Sequence, residues 1–328
     1  SAGMAAGALA PNWWLFLAAM LLTGLGFASV DVGLNAAIGD ASETAGKRAV
    51  AMNLLHAAFP VGTLAAPALL SLLWQVGQNW RSSFLAIALA SGISLLPLLL
   101  RRRRWRETDP LHTEGSAEHT GGHSVSPLRV GMGLGGEVSN ILTLLREPAL
   151  LRLSLLQGLY VGAEVALAGW ITTYLLETFR ADEPAAALAT SVYWAGFLIG
   201  RPVIALITHR AGPYRLLPWL IGAGLGFAVL GVFATSALVA TGAYFLTGLA
   251  ICGVFPTVMA LALEGRVRDA GSVAALITAA GGTGSLIWPW IVGVVADGQG
   301  LRVAMAVAAV PFIVMWLISL QVRAVQAR

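Results

Sequence analysis

The chain has 328 residues, 57% hydrophobic and 11% charged, with a net charge of +4. A soluble domain carries about 25% charged residues, so this composition excludes an ordinary water-soluble globule. The basic residues cluster at the ends of apolar runs and do not interleave with exposed aromatics, which argues against a nucleic-acid surface.

Chain order gives nine apolar spans, at about 12–37, 50–74, 82–100, 150–176, 185–208, 215–235, 238–263, 271–295 and 301–322. The opening SAGMAAGALA lacks the basic flank of a signal peptide. Ser82 to Leu100 is 19 residues without a formal charge, and Leu216 to Leu263 is 48, enough for two crossings with a turn at Thr235–Ser236. A bilayer core needs roughly 20 apolar residues per helix. No run alternates polar and apolar residues at period two, so helices rather than a barrel are expected.

The first span carries Asp31, with Asn35 one turn on. The second carries Asn53 and His56. The span 150–176 places Gln157, Tyr160 and Glu164 at i, i+3 and i+7, on one helix face. The span 185–208 carries Tyr193, Trp194 and Arg201, with Arg210 just beyond, and Trp288 lies in 271–295. Ionisable groups inside a bilayer cost about 2.5–3.5 kcal/mol on insertion scales and are usually functional. Asp31, Glu164 and His56 are therefore proton-coupling candidates. Asn35, Asn53, Gln157, Tyr160, Tyr193, Trp194 and Trp288 are solute-binding candidates, and Arg201 and Arg210 gating candidates. Each has a plainer reading as a packing or paired structural group; Arg201 can equally snorkel to the interface. Gly281, Gly282 and Gly284 permit close helix approach. Pro60, Pro67, Pro256 and Pro289 interrupt helix hydrogen bonds.

Loop charges give the orientation. Lys47 and Arg48, Arg101 to Arg104 with Arg106, Arg129, Arg146 and Arg152, Arg210 and Arg215, Arg266 and Arg268, and Arg323 and Arg328 fall on one side. Arg81, Arg180 and Arg302 fall on the other. The positive-inside rule makes the first side, and the C-terminus, cytoplasmic. The segment 101–148 is the one long loop. His112, His119 and His123 in it match no metal-site spacing, and no metal or cofactor is expected. Cys252 is the single cysteine, so no intrachain disulfide forms.

An internal repeat sharpens the reading. Thr23-Gly24-Leu25 recurs as Thr247-Gly248-Leu249, an offset of 224, which puts Asp40 opposite Glu264. Gly62-x-x-x-x-Pro67 recurs as Gly284-x-x-x-x-Pro289, an offset of 222, and Trp80-Arg81 answers Leu301-Arg302. Spans one to three thus resemble spans seven to nine, and spans four to six have no earlier partner. The expectation is two six-helix halves, the first lacking its three N-terminal helices. The alternative is a native nine-span protein with chance matches.

Parallel halves joined by a cytoplasmic loop are the major facilitator architecture. The stretch GRPVIALITHRAG resembles that family's cytoplasmic loop signature at Gly200, Arg201, Arg210 and Gly212, with His209 where an Asp is usual and Ile204 where a Gly is common. ASVDVGLNAA, MNLLHAAFPVG, YVGAEVALAGW and SVYWAGFLIGR resemble the fucose permease branch of sugar–proton symporters. The resemblance implies an all-α membrane protein of major facilitator fold, with about nine of twelve transmembrane helices. Residues 1–100 are the remainder of the N-terminal half, 101–148 the central loop and 149–328 the C-terminal half. It also implies proton coupling through the acid of the first span, Asp31. The expected function is secondary active transport of a small polar solute, a sugar among the candidates, coupled to protons, by a monomer in a bacterial inner membrane. The partners are solute, protons and lipid, with no nucleic acid. The alternatives are a proton-antiporting efflux pump for hydrophobic compounds and a non-transporting sensor or scaffold. An enzyme is not expected, since no HExxH, paired acids or Ser–His cluster occurs.

Overall fold

The computed structural model describes residues 1–42, 44–64, 79–95, 143–266 and 269–326. The loop histidines His112, His119 and His123 and the C-terminal parts of spans 50–74 and 82–100 lie outside them. The helices are α1 (Ala2–Leu9), α2 (Trp13–Ala41), α3 (Ala45–His56), α4 (Trp80–Ile93), α5 (Pro148–Phe179), α6 (Glu183–Ala211), α7 (Pro213–Val232), α8 (Ala237–Ile251), α9 (Val254–Ala262), α10 (Ala270–Gln299) and α11 (Leu301–Gln326). No strand occurs among the described residues. Seven stretches are long and apolar enough to cross a membrane: Trp13–Gly39, Pro148–Phe179, Glu183–Thr208, Pro213–Val232, Ala237–Ala262, Ala270–Gln299 and Leu301–Val322. Each coincides with a span expected from the sequence.

Local chemistry sets the ends. Thr44 and Asp182 accept hydrogen bonds from the backbone of Lys47 and Ala185, and Asn79 forms a capping box with Ser82. Pro148 and Pro213 open their helices, where no backbone donor is needed. Gly212 between α6 and α7 has φ 79°, a conformation costly for side-chain-bearing residues. Prolines also divide two spans. Pro256 cannot donate to the carbonyl of Cys252, and α8 gives way to α9 at Cys252–Gly253. Pro60 cannot donate to that of His56, where α3 ends before helix resumes over 58–64.

The chain divides into two compact units, Ser1–Ser29 with Ala68–Gly136, and Val30–Pro67 with Glu137–Arg328. In the first, α1 packs on α4, and Phe16 meets Trp80 and Phe84 at 5.7 Å. In the second, α5 lies so close to α10 that a Cβ on Gly284 would overlap the carbonyl of Gly158. Gly281 also faces α5, whereas Gly282 has no neighbour within 4 Å among the described residues. Similarly α6 meets α8, where a Cβ on Gly248 would overlap the carbonyl of Tyr193. Small residues let membrane helices gain dispersion contact where no hydrophobic force drives them together.

The repeat appears in the contacts themselves. Asn12 caps α2 by accepting from Leu15 N at 3.0 Å, and Ser236 caps α8 by accepting from Val239 N at 3.4 Å, 224 residues later. Thr23 and Thr247 bond back to Ala19 and Ala243, both at 2.9 Å. A Cβ on Gly7 would stand 2.7 Å from Met20, and one on Gly231 2.7 Å from Tyr244, again at an offset of 224. Arg81 donates to the carbonyls of Ala8 and Ala10 at the end of α1. Arg302 donates to those of Val232 and Ala234 at the end of α7. These pairs join different helices, so the duplication extends to how the helices are fastened.

Candidate functional site

Polar side chains buried in the second unit form the site. On α5, Gln157 and Tyr160 are fully buried and Glu164 is 7% exposed. Their shared face follows from the i, i+3, i+7 spacing. On α6, Arg201 is 3% exposed, with its guanidinium 5.8 Å from the Phe197 ring. It lies inside the protein. The Tyr193 hydroxyl donates to the backbone carbonyl of Glu164 at 3.4 Å. Tyr193 meets Trp194 and Phe197 edge to face at 5.4 and 5.1 Å, Trp194 and Phe197 meet at a tilt at 5.0 Å, and Phe59 continues the series 5.5 Å from Trp194.

Many of these polar atoms lack a partner. Both amide atoms of Gln157, the Tyr160 hydroxyl, Nε and Nη1 of Arg201, Oδ1 of Asn53, the Ser154 hydroxyl and Nε1 of Trp288 are buried without a hydrogen bond among the described residues. More than nine in ten buried polar groups in proteins are paired, and leaving one unmade costs about 1–3 kcal/mol. The set holds both donors and acceptors. Trp288 sits where α10 crosses α5, close to Gly162.

Asp31, Asn35, Asn53 and His56 form a second group. The Asn35 amide nitrogen donates to the carbonyl of Asp31 at 2.8 Å, leaving Asn35 Oδ1 to face His56 Nε2 at 3.1 Å. With the amide nitrogen so engaged, His56 Nε2 is the donor. The Asn53 nitrogen is taken by Ala49 O at 2.8 Å. The Thr278 hydroxyl, from α10, donates to Asp31 Oδ2 at 3.0 Å. The His56 ring lies 4.6 Å from that of Phe255. Arg210 is exposed and joins neither group.

Thr278 and Phe255 were not singled out from the sequence. A threonine in an apolar helix carries no signal by itself. Its register does, because 278 less the offset of 222 is His56. Two further contacts lie near helix ends: Arg266 pairs with Glu147 at 2.7 Å, and the Tyr214 hydroxyl donates to Glu264.

Long apolar helices surrounding buried, unpartnered polar groups define a multi-pass membrane protein with an internal polar site. The model of the Major Facilitator Superfamily matches residues 1–289, and the chain belongs to that family of transporters. "Bypass of stop codon protein 6" of Saccharomyces cerevisiae is 29% identical over 174 residues, 48% of this chain and 34% of that protein. The glucose/mannose transporter GlcP of Bacillus subtilis is 21% identical over 165 residues, 50% of this chain and 41% of that protein. The match thus spans less than half the length of these curated relatives. Among solved structures, FucP in the outward conformation superposes with a TM-score of 0.73 at 19% identity, covering 98% of this chain and 81% of that one. A variant of the E. coli fucose:proton symporter FucP gives 0.72 at 17%, with the same coverage. The human organic anion transporter MFSD10 gives 0.73 at 16%, covering 97% and 74%. The fold is that of the major facilitators, and the resemblance to the fucose permease branch is met at the level of fold.

Proposed function

We propose that the protein is a proton-coupled secondary transporter of a small polar solute, with a sugar the leading class, working by alternating access. The observation that carries this reading is the set of buried polar atoms left without partners among the described residues on Gln157, Arg201 and Trp288. A polyhydroxylated neutral molecule supplies donors and acceptors to all three. The faces of Trp194 and Tyr193 suit the C–H surface of a sugar ring. Glu164 and Arg201, one acid and one base, favour a solute without net charge. Asp31 carries the coupling proton, with Glu164 as the second acid and His56 beside Asp31 through Asn35. Arg201 also serves the gate, and Arg210 acts at the loop beyond it. The relatives' names support the class: a glucose/mannose transporter in sequence and a fucose:proton symporter in fold. The protein works as a monomer in a bacterial inner membrane with its C-terminus cytoplasmic. The two halves divide at 101–148, and the protein is not an enzyme.

The test is reconstitution of the protein in proteoliposomes, with external pH recorded while sugars are added one at a time. Alkalinisation driven by a sugar, and lost in Asp31→Asn or Glu164→Gln, is the expected result. No proton movement with any sugar, but proton release on adding lipophilic cations, would overturn the reading in favour of export.

A further inference from the structure

The repeat pairs residues across helices as well as along them. Carrying residue 31 forward by 224 gives Phe255, and carrying residue 56 forward by 222 gives Thr278. Asp31 touches Thr278, and His56 touches Phe255. The two contacts are therefore one contact made twice, with the partners' repeats exchanged. Gly39 provides the fixed point of this exchange. Its equivalent is Leu263, and a Cβ on Gly39 would stand 3.0 Å from Leu263 Cδ1. A self-paired contact flanked by a reciprocal pair is the signature of an isologous interface. Within the second unit, the stretches 30–64 and 254–288 meet about a local pseudo-two-fold.

The two arms differ in chemistry. The His56–Phe255 arm is aromatic, and its histidine is engaged by Asn35. The Asp31–Thr278 arm is a hydrogen bond between a carboxyl of the first repeat and a hydroxyl of the second. Thr278 has a hydroxyl that is free to turn, so it can donate to a carboxylate or accept from a carboxylic acid. The groups facing Asp31 among the described residues are Thr278 on α10 and Asn35 on its own helix, with His56 reached only through Asn35. No ion pair engages Asp31 among the described residues.

We propose that Thr278 is the positioning residue for the Asp31 carboxyl, so that the proton carried by Asp31 is read by the second repeat through this one hydrogen bond. The proposal rests on Asp31 as the proton site of the proposed function. It explains why the symmetric position holds a hydroxyl on one side and an imidazole already committed to Asn35 on the other. Loading or releasing the proton changes the sense of the bond in the first arm and leaves the second unaltered. The contact between repeats is thereby biased from one side.

The test is an infrared pH titration of the full protein in lipid, following the carboxylic-acid band that disappears in Asp31→Asn. Thr278→Val keeps the shape and removes the hydroxyl; Thr278→Ala removes it without the bulk; Thr278→Ser restores it. A displacement of the Asp31 midpoint by about one pH unit is expected in the Val and Ala variants. The Ser variant should titrate as the parent protein does, and the pH profile of sugar-driven alkalinisation should move with the midpoint. An Asp31 midpoint unchanged in both Val and Ala variants overturns the proposal. If the midpoint moves but Asp31→Asn still couples protons, the coupling role of Asp31 falls while the positioning by Thr278 stands.

Discussion

Helix α2 and the α8–α9 pair are copies in register, yet they sit in opposite surroundings. In Ala237–Ala262 some 78% of the most apolar window is buried, whereas in Trp13–Gly39 the figure is 6%. Their caps and threonine back-bonds match residue for residue. Local sequence therefore dictates the helix, while the neighbours dictate its burial. Gly248 is pressed against Tyr193 and Phe197 of α6, and its counterpart Gly24 has nothing within 4 Å among the described residues.

The largest expected effect separates these two glycines. Gly248→Leu must force α6 away from α8, and overpacking of this kind costs about 1–3 kcal/mol or more. Gly24→Leu meets no neighbour among the described residues and should lower the melting temperature less than Gly248→Leu does. Thermal unfolding in detergent measures both, and equal losses would break the comparison. Next come the arginines. Arg81→Ala and Arg302→Ala each remove two hydrogen bonds from a charged donor to helix-end carbonyls. Both should destabilise by about 2 kcal/mol, and to a similar degree if the repeat is a true structural duplication. The smallest effect is at the caps, where Asn12→Ala and Ser236→Ala should each cost about 1 kcal/mol. Local hydrogen exchange at the first turns of α2 and α8 would resolve it.

The legible part of the molecule was what lipid makes expensive. Asp31, His56, Gln157 and Glu164 stand out because charge and amide groups are rare in apolar runs, and the structure buries Gln157 and Glu164 deep on one face. Pro60 and Pro256 announced the interruptions that divide two spans. Thr278 was illegible because hydroxyls are common in membrane helices and usually bond their own backbone, as Thr23 and Thr247 do. Only the repeat register, joined to a contact between distant helices, singles it out. The burial of Arg201 was half legible. Its place seven residues from a span's end fits snorkelling as well as burial, and the structure leaves it 3% exposed.

The most direct test of the central claim is solute exchange against solute-driven proton flux in one proteoliposome preparation of Glu164→Gln, beside Gln157→Ala. If the buried polar face holds the solute, Gln157→Ala should weaken half-saturation for exchange about tenfold, the worth of roughly one hydrogen bond in an unsatisfied buried site. Glu164→Gln should abolish proton flux, exchange, or both. Wild-type exchange and wild-type proton flux in both variants would contradict the account, because solute and proton would then pass without touching the site proposed for them.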